Sequence, residues 1–106
     1  MKTVKITDQI LSGNLSNLWS GSDYDEYASA LRLAELLKDE YRNRAKADYP
    51  DAKIIIEIDV QQATGSSAPM EIVVTDSEDP FFVEFPDTEW YSDQFERINF
   101  DDWAVA

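Results

Sequence analysis

"SDYDEYASALRLAELLKDEYRNRAKA" (residues 22–47) is the stretch that decides the fold. Its apolar and aromatic side chains recur at helical spacing, at Tyr24, Tyr27, Ala30, Leu31, Leu33, Ala34, Leu37 and Tyr41. Acidic residues fill the first turn and basic residues the last, which favours the helix dipole. Ser22 is expected to cap this helix with Asp25 three residues on, and Tyr49-Pro50 to end it. We predict an amphipathic helix over Ser22–Ala47, about 39 Å long at ~1.5 Å per residue.

Strand patterns follow the helix. "KIIIEIDVQQ" (Lys53–Gln62) alternates apolar and polar residues, as does "MEIVVTD" (Met70–Asp76). This alternation predicts two half-buried antiparallel strands, joined as a hairpin by a long loop. "FFVEF" (Phe81–Phe85) predicts a third strand. Because a sheet and a helix each need a partner for their apolar side, the expected fold class is α+β. We expect one long helix packed on a three- to four-stranded antiparallel sheet, in a single domain of residues 1–106.

Both ends of the chain leave alternatives open. Met1–Ile6 alternates weakly, which suits an edge strand, whereas Thr7 begins a pattern typical of a short helix that Gly13 ends. We favour the helix. Near the other end, Ser92 is a candidate cap for a short helix, while residues 97–105 ("RINFDDWAV") also suit a strand.

The residue types present restrict the chemistry. The chain has no cysteine and no histidine, which excludes disulfides, thiolate nucleophiles and the usual zinc ligands, and removes the commonest general base. Its three glycines are isolated, so no phosphate-binding loop is present. The acidic runs lack the spacing of a calcium-binding loop. We therefore expect a protein that is not an enzyme and that needs no cofactor or metal.

Apolar runs are short throughout. None approaches the roughly 18–20 residues that are needed to cross a bilayer. Near the start of the chain, Asp8 and Gln9 interrupt the apolar residues, whereas a signal peptide has an uninterrupted apolar core, so we expect no signal peptide. The expected location is the cytoplasm.

Negative charge is concentrated in the last third of the chain. The formal net charge is −13, from 22 acidic and 9 basic residues. From Asp76 to Ala106 there are ten acidic residues and one basic residue, Arg97. Such acidity disfavours direct binding to nucleic acid or to an anionic membrane and attracts basic partners. The expected partner is a basic protein or a nucleic-acid-binding complex, and self-association as a homodimer is also open.

Eight of the 13 aromatic residues lie in the same acidic segment. A solvated acidic tail would lack such aromatic residues. The segment is therefore expected to fold onto the body of the protein or onto a partner. Either its rings complete the core, or some lie at the acidic surface and anchor a partner. The candidate aromatic anchors are Trp90, Tyr91 and Trp103.

The candidate acidic patch joins this segment to one face of the sheet. It comprises Glu57, Asp59, Glu71, Asp76, Glu78, Asp79, Asp87, Glu89, Asp93, Glu96, Asp101 and Asp102. On an extended chain, the ten acids of the last 31 residues would be about 10 Å apart at ~3.3 Å per residue. B-DNA carries one charge per ~1.7 Å of axis. Only folding that gathers the acids onto one surface can approach that density. We expect one contiguous patch that occupies a basic nucleic-acid channel.

In length, acidity and lack of cysteine and histidine, the chain resembles small inhibitors encoded by phages or mobile elements, such as anti-CRISPR and anti-restriction proteins. The resemblance is to a class and is carried by no motif. It implies a non-enzymatic inhibitor that presents carboxylates where DNA phosphates bind. Two alternatives remain: an immunity protein or antitoxin that blocks a cationic toxin, and a self-associating phage structural or assembly protein.

Overall fold

The computed structural model describes residues 1–18 and 24–106, with the side chains of all of these except residues 16–18. The strands are β1 (Lys2–Leu11), β2 (Lys53–Gln61), β3 (Glu71–Asp76) and β4 (Asp79–Glu84), and the α-helices are α1 (Glu26–Asp48), α2 (Glu89–Arg97) and α3 (Phe100–Trp103). A 3₁₀ helix, Ser12–Leu18, follows β1. The strands form one sheet in the order β2-β1-β3-β4. The predicted α+β class, with one long helix packed on a four-stranded sheet, is confirmed. The prediction that the sheet is antiparallel is wrong for β1 and β2, which run parallel.

Helix α1 buries most of the stripe that its sequence predicts, but Tyr27 and Leu31 of that stripe are exposed. Ser29, Ala30, Leu33, Ala34, Leu37, Tyr41 and Ala45 are its buried residues. The helix begins later than predicted, because Asp25 is the cap and its side chain accepts a hydrogen bond of 2.9 Å from the Ala28 N–H. The cap predicted at Ser22 lies outside the described residues. Tyr49 ends the helix in front of Pro50, as predicted.

The short helix predicted from Thr7 is wrong, because residues 2–11 form the central strand β1. Val4 and Ile6 on its inner face are fully buried. A strand with a neighbouring strand on each side forms backbone hydrogen bonds to both neighbours, and the helices cover one of its faces. These long-range contacts outweigh the local helix-start signal of Thr7 and Asp8.

The sheet is mixed. β1 pairs in parallel with β2, and antiparallel with β3, which itself pairs antiparallel with β4. The parallel pair depends on α1, since parallel strands need a long crossover connection. The predicted hairpin between Lys53–Gln62 and Met70–Asp76 is wrong, because β1 lies between those two strands.

The loop from β2 to β3 crosses the end of β1 and is held there. The Gly13 N–H donates to the Ala63 carbonyl at 2.9 Å. The Asn14 side chain donates to the Gly65 carbonyl at 2.8 Å and accepts from the Gly65 N–H at 3.1 Å. A Cβ atom on Gly13 would lie 2.3 Å from Thr64 Cγ2, so this close crossing requires a glycine.

The acidic last third of the chain folds onto the body, as predicted. Tyr91 and Trp103 join the hydrophobic core formed by α1 and the inner face of the sheet. The end of the chain returns to the start of α1, where the Val105 N–H donates to Ser29 Oγ at 2.9 Å and the Asp25 N–H donates to the Val105 carbonyl at 2.8 Å. The strand alternative for residues 97–105 is wrong, because α3 forms there.

None of the helices in residues 1–18 and 24–106 combines the length and apolar character that crossing a bilayer requires.

Candidate protein interface

The acids of the last third of the chain lie at the surface. Asp76 is partly buried, and the other nine carboxylates from Glu78 to Asp102 are exposed. In chain order, these carboxylates lie along the turn from β3 to β4, strand β4 and helices α2 and α3. No basic residue occurs between Lys53 and Arg97 in the chain. Folding brings other cations to this segment, with Lys2 Nζ 4.7 Å from the centroid of the Phe82 ring and the Arg44 guanidinium carbon 4.9 Å from that of Trp90.

Helix α2 carries the most regular part of this charge. Its inward side is set by the buried residues Tyr91 and Gln94. Glu89, Asp93 and Glu96 are exposed and follow one another at spacings of four and three residues, which places them on one stripe. We call these three residues the α2 acidic stripe.

Helix formation brings the charges of the stripe close together. Seven residues of helix span about 10 Å at ~1.5 Å per residue, so the stripe has one carboxylate per ~5 Å of axis. A single DNA strand has one phosphate per ~3.4 Å of axis. The helix therefore brings the acids to about twice the density expected for an extended chain, and within a factor of two of one phosphate backbone.

The acids of the β3–β4 turn are already partly satisfied. The N-terminal ammonium lies 3.4 Å from Asp76 Oδ1 and 3.8 Å from Glu78 Oε1. The Glu78 N–H donates to Asp76 Oδ1 at 3.0 Å, and this bond is the main cause that lowers the pKa of Asp76. Asp76 therefore stabilises the turn, whereas Asp79 and Asp87 lie at the exposed surface.

The acids predicted on the sheet do not join this surface. Glu57, Asp59 and Glu71 lie on the outer face of the sheet, whereas α2 and α3 belong to the layer on the inner face. Glu57 and Glu71 both pair with Thr7, so a whole strand separates them, about 10 Å at ~4.8 Å per strand. Lys5 Nζ lies 3.8 Å from Glu57 Oε2. The single contiguous patch expected from the sequence is therefore wrong for these three residues. The acids of the last third are also spread along α1, because Phe100 of α3 packs on Tyr24 before the start of that helix, whereas Glu84 of β4 accepts a hydrogen bond from Tyr49 at its end.

Two of the three predicted aromatic anchors are core residues. Tyr91 is 5% exposed and Trp103 is 3% exposed, so neither is available to a partner. Trp90 is half-buried, with the Arg44 guanidinium carbon 4.9 Å from its ring centroid. For these rings, the interpretation that they complete the core is the right one.

Other aromatic rings are exposed instead. Phe81 is 93% exposed and Phe85 is 74% exposed, and Val83 between them is 52% exposed. Val83 pairs with Thr75 on the outer face of the edge strand β4. We call Phe81, Val83 and Phe85 the β4 apolar surface. The sequence signal was the alternation in "FFVEF", but that pattern does not reveal that the strand lies at an edge.

One cleft contains a perturbed carboxylate. It has a volume of about 510 Å³ and is lined partly by Asp8, Leu37, Tyr41 and Phe95. Burial raises the pKa of Asp8, which accepts hydrogen bonds from the Tyr41 hydroxyl at 3.0 Å and from the Gln9 N–H at 2.8 Å. Among the residues that the structure describes along this cleft, Asp8 is the one carboxylate, and its partners join α1 to β1. The arrangement suits a structural role.

Within the two described ranges, no three carboxylates converge closely enough to hold a metal ion.

No protein-family model matches this chain, and neither a curated protein nor a solved structure shows significant similarity to it.

Proposed function

We propose that this protein is a non-enzymatic inhibitor of the anti-CRISPR or anti-restriction kind, which binds a basic nucleic-acid-handling protein and occupies its nucleic-acid site. The observation that supports this function best is the placement of charge. Nine exposed carboxylates lie in the last third of the chain, and three of them form the α2 acidic stripe, with one charge per ~5 Å of axis against one per ~3.4 Å for a single DNA strand. The acids on the outer face of the sheet are not part of this proposal.

Helix α1 serves as an internal comparison. Its exposed acids alternate with basic residues, and two ion pairs lie along it, Arg32–Glu35 and Arg44–Asp48. A surface of this kind is solvated and nearly neutral. The contrast between α1 and α2 indicates that a basic partner would approach the α2 side, since summed surface charge steers association.

The test is competition with DNA. Purified CRISPR effector complexes and restriction enzymes are titrated with the protein while the binding of labelled DNA is followed by fluorescence anisotropy. We expect the apparent Kd of a sensitive complex for DNA to rise in proportion to the protein concentration, and the effect to weaken with added salt. Affinity capture from a lysate at low salt, competed with DNA, extends the search to other complexes.

A matched pair of variants locates the effect. Glu89→Gln/Asp93→Asn/Glu96→Gln removes the α2 acidic stripe, and Glu35→Gln/Asp39→Asn/Glu40→Gln removes the same charge from α1. The first variant is expected to lose inhibition at least tenfold, and the second less than threefold. An equal loss of inhibition in both variants would show that inhibition depends on the net charge of the protein and not on the α2 acidic stripe. Inhibition that DNA does not relieve would contradict the proposed site.

An immunity protein or antitoxin is the second candidate, because the β4 apolar surface places exposed aromatic rings at an acidic surface, with Phe81 beside Asp79. Such a protein would bind one cationic toxin in a one-to-one complex. Inhibition of a toxin that binds no nucleic acid would favour this candidate over the first.

A further inference from the structure

The β4 apolar surface is a feature that folding alone does not explain. Exposed phenylalanine at 93% and 74% contributes almost nothing to the core, and α1, α2 and α3 all lie on the other side of the sheet. Contiguous apolar groups at a surface, rimmed by polar residues, mark sites of interaction.

Phe81 is held in an outward position. One step along β3, from Asp76 to Thr75, corresponds to four steps along β4, from Asp79 to Val83. The residues between them form a bulge that includes Phe81. The Phe81 N–H donates to Asp79 Oδ1 at 3.1 Å, and Pro80 restricts the backbone between them. A backbone held in this way loses little conformational freedom on binding.

Charge around the surface identifies the kind of occupant. Asp79 is exposed beside Phe81, whose N–H donates to its Oδ1 at 3.1 Å, and the chain as a whole has a net charge of −13. A partner that buries the phenylalanines therefore brings its own charges close to this carboxylate. Lysine and arginine complement it, and an acidic or neutral partner does not.

A second copy of this chain fits poorly. Two copies would each bring a net charge of −13 to the contact. Like charges at such a contact repel each other. The bulge and Pro80, which has no N–H, further interrupt the edge.

We propose that the β4 apolar surface binds a basic amphipathic segment of the partner protein, with apolar side chains against Phe81, Val83 and Phe85 and lysine or arginine against Asp79. This inference rests on the proposed function in one respect, that the partner is a basic protein. It adds a second contact, on the opposite layer of the molecule from the α2 acidic stripe, which contributes apolar burial as well as charge.

The experiment uses two synthetic peptides of equal charge. In one, lysine and valine alternate over about 14 residues, and in the other lysine and serine alternate. Binding to the full chain is measured by calorimetry at physiological salt, and the contact is located by amide chemical shifts in NMR. We expect the valine peptide to bind at least tenfold more tightly and to shift the amides of residues 79–87.

Two variants separate this inference from the proposed function. Phe81→Ser/Phe85→Ser is expected to lower affinity for the valine peptide at least tenfold. Glu89→Gln/Asp93→Asn/Glu96→Gln is expected to lower it less than threefold, although the same variant is expected to weaken competition with DNA at least tenfold. Both side chains of the first variant are exposed, so its unfolding curve is expected to match that of the parent, and Phe81→Ser alone provides a milder second test.

Three outcomes overturn the inference: equal binding of both peptides, which would show charge alone; binding of neither peptide; or unchanged binding by Phe81→Ser/Phe85→Ser. Sedimentation of the free protein supplies a fourth. A dimer that Phe81→Ser/Phe85→Ser dissociates would make a second copy the occupant.

Discussion

The Tyr41 hydroxyl donates a hydrogen bond of 3.0 Å to Asp8 Oδ2 and so joins the middle of α1 to the inner face of β1. Burial raises the pKa of both groups, and the nearby Asp8 carboxylate raises that of Tyr41 further. The Tyr41 ring also packs edge-on against Tyr91 of α2, with centroids 5.5 Å apart. One side chain therefore connects three elements of the fold.

Removing this hydroxyl tests the bond. Tyr41→Phe keeps the ring packing but leaves the partly buried Asp8 carboxylate with one donor fewer. We expect a loss of about 1–2 kcal/mol in the free energy of unfolding, measured by urea titration. The same change at the exposed Tyr27 is the control and should have little effect. Equal stability of Tyr41→Phe and the parent would show that the bond contributes nothing.

Asp8 predicts a pH dependence of known sign. Because its pKa is raised above 3.8 in the folded protein, the folded state holds this proton more tightly than the unfolded state does. The contribution of Asp8 to the free energy of unfolding is fully present below pH 3.8. It is lost as the pH rises through the raised pKa that Asp8 has in the folded protein. Asn does not titrate, so Asp8→Asn should gain stability relative to the parent between about pH 3 and pH 7.

Urea unfolding of both proteins across that range measures the difference. Asp76, whose pKa is lowered, contributes in the opposite direction but is present in both proteins and cancels. A difference that is constant with pH, or that changes in the opposite sense, would contradict the raised pKa of Asp8.

The loop crossing at Gly13 makes a third prediction. In Gly13→Ala, the new Cβ would lie 2.3 Å from Thr64 Cγ2 and 2.8 Å from the Ala63 oxygen. We expect a destabilisation of about 1–3 kcal/mol, as for other overpacked sites. Thr64→Ser removes the methyl group of the closest contact, so the double variant should recover part of the loss. Strict additivity of the two changes would argue against this close approach.

The α2 acidic stripe should reduce the stability of its own helix. Glu96 lies near the C-terminal end of α2, where a negative charge opposes the helix dipole, and three residues after Asp93, where like charges repel. Glu96→Gln is therefore expected to raise stability by about 0.3–1 kcal/mol at low salt. Glu35→Gln on α1, which loses an ion pair with Arg32, should lower it slightly. A stabilised variant with weaker inhibition would indicate that the acid serves binding.

Two aromatic residues of the acidic last third of the chain are expected to differ sharply in how much they contribute to the stability of the fold. Trp103→Ala is expected to cost about 3–5 kcal/mol, because the ring is 3% exposed and lies in the core. Phe81→Ala should change stability by less than about 0.5 kcal/mol, because its ring is 93% exposed. Thermal unfolding of both variants checks the contrast. Comparable losses would show that Phe81 packs against the fold.

Much of the fold could be predicted because its signals are local. The apolar stripe of α1, the end of that helix before Pro50 and the alternation of β2 and β3 each depend on residues a few positions apart. The inward positions of Ile56, Ile72 and Val74 follow from that alternation. For β1, the sequence suggests a strand over Met1–Ile6 only as an alternative to the helix, because the identity of β1 depends on two neighbouring strands rather than on its own residues.

The candidate site was less predictable for the same reason. The exposure of the α2 acids follows from their positions opposite Tyr91 and Gln94, a helical pattern within one segment. The burial of Trp103 against Phe95 and Phe100, and the exposure of Phe81, follow from packing between separate elements. All four rings look alike in the sequence, since each lies among carboxylates.

By itself, the sequence determined that this chain forms one long amphipathic helix and half-buried strands, and that negative charge is concentrated in its last third. Only the tertiary structure decided that β1 separates β2 from β3, that the sheet acids lie apart from the α2 acidic stripe, and that Phe81 and Phe85 face solvent. The reason is physical. Periodicity and capping act between residues within one or two turns of each other, whereas strand order and the burial of a ring depend on contacts between residues such as Thr7 and Glu57, which are far apart in the chain and meet only in the folded sheet.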